Sequence, residues 1–119
     1  MGYRSEVTLV LHNKILPKFL DLLCSNEDAK ELVLVHRDEY RTFDLDDEGK
    51  DHLLIQWNWL KWYTGYGSVD AIEGFIKEQD EEHYRLVRAG ENGGDIDEYG
   101  EFCSDVVYAF TTNHMEVQI

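Results

Sequence analysis

Carboxylates are the side chains best placed to do chemistry in this chain, and two short stretches space them as calcium-binding loops do. In each stretch acidic residues alternate before a glycine in the turning position: Asp44, Asp46, Glu48 and Gly49, then Asp95, Asp97 and Gly100. A loop of this class closes with a bidentate Glu at its twelfth position. Ile55 and Val106 stand there instead. The two patterns therefore predict acidic turns and no metal site.

Other residues that could bind a metal or attack a substrate are scattered. The five histidines contain no pair at the four-residue spacing of a helical metal site: His12, His36, His52, His83 and His114. Cys24 and Cys103 are isolated from each other and from these histidines. Neither a nucleophile elbow nor a phosphate or dinucleotide loop is present in the sequence. We therefore expect no cofactor and no enzymatic activity.

Net charge restricts the partners that the chain can have. The 119 residues include 25 acidic and 11 basic ones, for a formal net charge of -14, yet 43% are hydrophobic and 13% aromatic. Such apolar content predicts a folded domain with an acidic surface. That surface would repel nucleic acid and anionic membranes and attract basic proteins. The alternative is that the charge serves solubility alone.

Acidic residues are densest between positions 80 and 101. This stretch holds Asp80, Glu81, Glu82, Glu91, Asp95, Asp97, Glu98 and Glu101. Only Arg85 and Arg88 oppose them. We predict that these carboxylates form part of a protein-binding surface.

Residues 52–67 concentrate the aromatic side chains. Leu53, Ile55, Trp57 and Trp59 alternate and are predicted to share the buried face of a strand. After Trp59 the alternation fails, which indicates either a β-bulge or a strand covered on both faces. The end of this strand is our second candidate contact surface, with ordinary packing as the alternative: Lys61, Trp62, Tyr63 and Tyr66.

The order of the elements follows from hydrophobic periodicity. The first strand has Val7, Leu9 and Leu11 on one well-buried face, with Thr8 on the polar side. An interrupted helix follows from Asn13, tolerating Pro17 near its start and restarting to Val35 behind a cap at Ser25. The next hairpin turns over residues 46–50 and returns in the aromatic strand.

The second half of the chain is predicted to contain one more helix and one more hairpin. A helix capped by Ser68 is predicted to run to about Gln79, and a second hairpin turns around residues 92–94. Alternation resumes in the tail from Val106. We predict one α+β domain over residues 1–119, a ferredoxin-like sandwich. Its antiparallel sheet would carry two helices on one face and an extra C-terminal hairpin or strand.

Nothing in the sequence predicts secretion or membrane insertion. The residues after Met1 lack the long apolar run and cleavage site of a signal peptide, and no segment reaches the length of a membrane span. Two isolated cysteines are typical of a reducing compartment. We therefore expect a cytoplasmic protein.

Several motifs resemble those of small acidic proteins encoded by bacteriophages and prophages. They are Tyr3 to Val7, Lys61 to Tyr63, Val69 to Glu73, and Arg88 to Glu91 with Asp95, Ile96 and Glu98. The resemblance covers roughly the first ten residues and residues 59–100, and it ends in the longer tail of this chain. It implies a phage setting, in the cytoplasm of the host cell, and carries no catalytic residues with it.

Charge and resemblance together predict a function. We expect a binder of a basic host protein or a nucleic-acid-binding complex, acting as an inhibitor or DNA mimic of nucleic-acid-processing or defence machinery. One alternative is a phage accessory domain that acts through self-association, for example as a homodimer. An enzyme of unknown type is the last alternative.

Overall fold

The computed structural model of the protein describes residues 5–45, 49–60, 62, 67–90, 96–102, 107–110 and 114–117. Within these ranges there are three α-helices, α1 (Leu16–Ser25), α2 (Glu27–Leu34) and α3 (Gly67–Lys77). The strands are β1 (Ser5–Leu11), β2 (Glu39–Leu45), β3 (Gly49–Leu60), β4 (Tyr84–Gly90), β5 (Ile96–Gly100), β6 (Val107–Phe110) and β7 (His114–Val117). Single turns of 3₁₀ helix lie at Asn13–Ile15 and Glu81–His83.

Five strands form one antiparallel sheet in the order β2-β3-β1-β4-β5. The first strand is central, so that Leu9 lies opposite Ile55 on one side and Leu86 on the other. The hairpins β2–β3 and β4–β5 supply the two edges. Strands β6 and β7 pair with each other as a separate two-stranded sheet. The predicted α+β class and antiparallel sheet are therefore confirmed, while the predicted turn at residues 92–94 lies outside the described residues.

One face of the sheet carries the main hydrophobic core. The predicted positions Leu53, Ile55 and Trp57 are all buried and belong to one cluster with residues of β1, β4 and all three helices. Trp57 Nε1 donates a hydrogen bond of 3.0 Å to Leu32 O, which gives the buried indole N–H the acceptor it requires. The core role of Trp57 is confirmed. The side chain of Trp59 is outside the described part of the chain.

The opposite face of the sheet is buried as well. Thr8, Val10, Leu54 and Val87 are fully buried there, although the sequence pattern placed Thr8 on a polar face. The C-terminal strands explain this difference, because β6 lies close to β4 and β7 close to β1. Alternation within one strand cannot predict that a segment from a distant part of the chain covers the second face of the sheet.

The irregular end of the aromatic strand contains a β-bulge. Ser5 pairs with Leu60, and Val7 pairs with Trp57. An advance of two residues along β1 therefore corresponds to three residues along β3, which is one extra residue in β3. A bulge shifts the side chains that follow it to the other face of the sheet. Of the two explanations offered for the loss of alternation after Trp59, the bulge is confirmed.

The predicted interrupted helix is two separate helices. Asn26 has an extended conformation (φ −132°, ψ 105°), and its Oδ1 accepts a hydrogen bond of 3.1 Å from Ala29 N. The cap of α2 is therefore Asn26, and the predicted cap at Ser25 is wrong by one residue. Ser25 is the last residue of α1, where its Oγ donates to Leu22 O. Ser68 likewise lies inside α3, which begins at Gly67.

Helix length and polarity bear on membrane insertion. None of the helices in the described ranges combines the length and apolar character needed to cross a bilayer.

Candidate protein-binding surface

The densest acidic segment begins at the 3₁₀ turn before β4. Asp80 caps this turn, because its Oδ1 accepts a hydrogen bond of 3.0 Å from Glu82 N and its carbonyl accepts one of 2.9 Å from His83 N. Asp80, Glu81 and Glu82 are all exposed. The turn therefore holds three successive acidic residues at the surface in one backbone conformation.

A fourth carboxylate reaches this turn from the end of β5. Glu101 N donates a hydrogen bond of 2.7 Å to Glu81 O, and the following amide, Phe102 N, donates to Tyr84 O. The chain reaches this position through Gly100, whose φ of +83° favours glycine. A Cβ at Gly100 would collide with Tyr84 O and lie 2.7 Å from Tyr84 Cδ2. Close backbone packing thus fixes Glu101 beside Glu81.

We call these four exposed residues, Asp80, Glu81, Glu82 and Glu101, the acidic corner. Among the residues that the structure describes, no lysine or arginine forms an ion pair with any of them. Their negative charge is consequently balanced by solvent ions and is available to a cationic partner.

The acidic corner affects the pKa of the buried Tyr84. Burial raises the pKa of the Tyr84 phenol above its ordinary value of 10.0, and the negative charge of Glu81 raises it further. Both effects disfavour the phenolate, so the buried ring stays neutral next to the acidic corner.

The other described carboxylates of the predicted acidic surface are paired internally. Arg88 Nε and Nη2 lie 2.8 and 2.7 Å from Asp97 Oδ2, and Arg85 Nη2 lies 2.7 Å from Glu98 Oε1. Both pairs cross from β4 to β5, and both arginine side chains are nearly buried. Asp97 and Glu98 are therefore neutralised within the sheet, and we separate them from the acidic corner.

Trp62 does not form the exposed aromatic contact that the sequence suggested. Its side chain is only 5% exposed, and its ring centroid lies 5.3 Å from that of Trp57 in the main core. Its Nε1 donates a hydrogen bond of 3.1 Å to Glu73 Oε2 on α3. The prediction of a partner-facing side chain is wrong for Trp62, and the alternative of ordinary packing is correct.

Five of the predicted contact residues lie outside the described part of the chain: Lys61, Tyr63, Tyr66, Glu91 and Asp95. The sequence analysis did not single out Glu73 as the partner of Trp62. The sequence feature that could have indicated a structural role for Glu73 is its position one helical turn after Val69, beside the buried residues Ile72 and Ile76. That signal becomes useful only when the position of α3 against the end of β3 is known.

Asp44 and Asp97, the described carboxylates of the two candidate calcium loops, each have a partner within the protein. Asp44 Oδ1 accepts a hydrogen bond of 3.0 Å from Asp51 N across the first hairpin, as an acidic turn would have it. In the second loop, Asp97 is occupied by Arg88. Within the described residues no group of three or more His, Cys, Asp or Glu side chains is arranged to hold a metal ion.

Three of the histidines nevertheless lie together. The His12 ring centroid is 4.6 Å from that of His52 and 5.2 Å from that of His83. His12 follows β1, His83 precedes β4 and His52 lies within β3. The three are neighbours because Leu11 pairs with both Leu53 and Tyr84. Sequence spacing alone could not reveal this cluster, since it depends on the strand order β3-β1-β4.

A shallow groove of about 420 Å³ runs along α2. Its lining is Glu27, Lys30, Glu31, Leu34 and Val35. Charges of both signs are mixed with exposed aliphatic side chains there, and the lining offers no nucleophile. The groove therefore adds no reaction chemistry to the surface.

Comparison of the chain with models of protein families found no match, and comparisons with curated proteins and with solved structures found none either. The function is accordingly argued from the charge and geometry of the chain.

Proposed function

We propose that this protein binds a basic host protein and acts as an inhibitor or DNA mimic of nucleic-acid-processing or defence machinery. The observation that carries the proposal is the acidic corner: four exposed carboxylates on two segments joined directly by the hydrogen bond from Glu101 N to Glu81 O. A net charge of -14 adds a long-range attraction to any basic partner.

The fixed backbone of the acidic corner is what suits it to binding. Like charges placed close together repel each other, and the free protein already bears that cost because the turn and Gly100 hold them in place. A partner therefore spends little free energy on ordering the backbone of these residues, and only their side-chain rotamers remain to be fixed. A groove of lysine and arginine side chains that normally binds phosphates would meet carboxylate oxygens here in place of phosphate oxygens.

The biological setting of the proposal comes from the sequence resemblance to phage and prophage proteins. A phage-encoded protein works in the host cytoplasm, where basic nucleases, polymerases and defence complexes are accessible partners. The acidic surface disfavours direct binding to nucleic acid for the same electrostatic reason that it favours these proteins.

The fold proposed here is a ferredoxin-like sandwich extended by β5 and the C-terminal strands. The strand order β2-β3-β1-β4 and the sequence β1-α1-α2-β2-β3-α3-β4 support it, with α1 and α2 together replacing the first crossover helix. Residues of all three helices share one cluster with Leu9 and Ile55, which supports helices on one sheet face.

The test is capture of binding proteins from a bacterial host lysate at low and high salt, followed by elution with duplex DNA. The test variant is the triple substitution Glu81→Gln, Glu82→Gln and Glu101→Gln. The matched control, Asp21→Asn, Glu27→Gln and Glu31→Gln, removes the same charge from exposed positions on α1 and α2. Asp80 is kept in both, because it caps the 3₁₀ turn.

We expect the wild-type protein to capture a basic protein that is released by high salt or by duplex DNA. The control variant should capture the same protein, and the variant of the acidic corner should not. Capture that is insensitive to salt and DNA would contradict the mimic. Equal capture by the two variants would show that the acidic corner is not the binding surface. Self-association without any captured protein would favour the alternative of an accessory domain.

A further inference from the structure

Strand β2 is an edge of the five-stranded sheet, and among the described strands only β3 pairs with it. An edge strand presents backbone N–H and C=O groups to which a further strand can bond, and proteins often block such an edge with lysine, proline or a bulge. The sequence of β2, EYRTFDL, contains neither lysine nor proline. A bulge between Phe43 and Leu45 limits the regular part of the edge to residues 39–43.

The pairing with β3 decides which backbone groups of β2 point outward. Asp38 N donates a hydrogen bond of 2.8 Å to Gln56 O, so the carbonyl of Gln56 points towards β2. Backbone groups alternate sides along a strand, and Leu54 therefore faces β2 as well. The residues opposite these two are Glu39 and Arg41, which bond to β3. The outward-facing groups are consequently those of Tyr40 and Thr42.

The side chains of this edge are self-complementary in charge. Glu39 and Arg41 lie on one face of the sheet, with Arg41 Nε 3.1 Å from Glu39 Oε1, and their side chains are 45% and 41% exposed. Residues 37–43 contain Arg37 and Asp38 in addition, so that positive and negative charges balance there. The edge is thus a segment without net charge in a chain of net charge -14.

Only one register between two β2 edges satisfies these charges. With Tyr40 opposite Tyr40 of a second copy, Glu39 lies opposite Arg41 twice, and opposite charges across a strand pair are stabilising. With Tyr40 opposite Thr42, Arg41 would face Arg41 of the second copy, and like charges are destabilising. With Thr42 opposite Thr42, Arg41 would face Phe43, and the opposite charges would not meet.

Exposed apolar side chains stand beside the same edge. Among the described residues, the large hydrophobic side chains that are exposed are Leu20, Leu34 and Val35. Leu34 ends α2, and Val35 follows it on the way to β2. Leu32 O accepts the hydrogen bond from Trp57 on β3, so α2 lies over the strand next to β2. A two-fold axis perpendicular to the sheet would place a second α2 on the same side of the joined sheet.

We propose that two copies of this chain pair through their β2 edges, antiparallel and about a two-fold axis, with Tyr40 opposite Tyr40 and Glu39 opposite Arg41. The two antiparallel sheets then form one continuous sheet with an isologous interface. This inference does not rest on the proposed function. Strands β2 and β5 are opposite edges of the sheet, so the acidic corner beside β4 and β5 stays on the outer side of each copy.

The net charge of the chain opposes this pairing and sets the conditions of the test. Two copies with a charge of -14 each repel one another. Salt screens this repulsion over about 8 Å at an ionic strength of about 0.15 M. The association of two copies should therefore strengthen between about 0.01 M and about 0.15 M salt. Binding of a basic partner at the acidic corner should change in the opposite direction.

Sedimentation equilibrium of the full chain measures the pairing. With rising concentration, the mass should increase from 14.0 kDa towards twice that value. Glu39→Arg sets arginine opposite arginine at two places, and the dissociation constant should rise at least about tenfold. The matched control is Glu78→Arg, at an exposed position between α3 and β4. Both substitutions lower the general repulsion equally, so only the proposed contact predicts that Glu39→Arg alone weakens the dimer.

Charge exchange tests the register. The double variant Glu39→Arg with Arg41→Glu restores opposite charges across the interface, and it should recover most of the lost affinity. A mixture of the single variants Glu39→Arg and Arg41→Glu should form heterodimers, because one strand then carries two positive charges and the other two negative ones.

Amide hydrogen exchange locates the pairing on the backbone. Tyr40 N faces outward in the monomer and bonds to the second copy in the dimer. At a concentration where about nine tenths of the chains are dimeric, Tyr40 N should exchange about tenfold more slowly than in dilute protein. Arg41 N is an internal control, because it faces β3 in both states and its exchange should not depend on concentration.

Three results would overturn the inference. One is a monomer at every concentration up to about 1 mM. Another is an equal dissociation constant for the folded Glu39→Arg and Glu78→Arg proteins, with circular dichroism reporting the fold. The third is exchange of Tyr40 N that does not depend on protein concentration. This last measurement uses the wild type and decides the matter even where a variant fails to fold.

Discussion

The burial of Trp62 gives the sharpest test of the structure, because the sequence suggested an exposed side chain at this position. Replacing it by alanine removes an indole that is 5% exposed and packs against Trp57. Truncation of a buried aromatic side chain costs about 3–5 kcal/mol. We therefore expect Trp62→Ala to lose about as much stability as Trp57→Ala, and not the much smaller amount typical of a surface position.

Conservative variants separate the contribution of ring packing at Trp62 from that of its hydrogen bond to Glu73. Trp62→Phe keeps most of the ring but removes the hydrogen bond to Glu73, and should cost about 1–2 kcal/mol. Glu73→Gln retains an acceptor for the indole and should cost less than Glu73→Ala. Because Trp62 and Glu73 share one hydrogen bond, the losses of Trp62→Phe and Glu73→Ala should not add in the double variant.

The assay is urea unfolding followed by circular dichroism, since removal of a tryptophan changes the fluorescence signal itself. The free energy of unfolding and the m-value are compared with those of the wild type. A loss below about 1 kcal/mol for Trp62→Ala with an unchanged m-value would refute the packing argument. It would restore the exposed aromatic contact that the sequence suggested.

Three further predictions concern Gly100, Tyr84 and the binding of metal ions. Gly100→Ala should destabilise the protein by more than about 2 kcal/mol in urea unfolding, because the positive φ and the collision with Tyr84 O cannot both be relieved; a loss near zero would show that the backbone can shift there. The raised pKa of Tyr84 means that its contribution to stability is complete below about pH 10 and is lost as the pH rises through the folded-state pKa. The melting temperature should thus fall less steeply above about pH 10 in Tyr84→Phe than in the wild type, and identical slopes would contradict the assignment. Millimolar calcium or zinc should leave the melting temperature unchanged, whereas a rise not matched by monovalent salt would reveal a metal site.

Local periodicity in the sequence determined the α+β class and the core of the central strands. Alternation at Leu53, Ile55 and Trp57 predicts one buried strand face, and all three are buried. This inference succeeds because successive side chains of a strand point to opposite faces whatever the strand packs against. Charge was equally accessible from the sequence, since it depends only on composition.

Contacts between distant segments decided the candidate site. The register of β4 against β5 sets Arg88 opposite Asp97 and so removes that carboxylate from the free acidic surface. The arrival of Glu101 at the turn that holds Glu81 depends in the same way on how β5 ends. Neither is visible in residue spacing, because a pairing register joins positions far apart in the chain.

The same reason explains the two features that the sequence analysis missed. The acceptor for Trp62 is on α3, and the neighbours of His12 are on β3 and before β4. The sequence by itself determined which residue types were available and which strand faces were apolar. Only the tertiary structure decided which side chains meet, because strand order and helix placement are set by the free energy of the whole packed core and not by any local pattern.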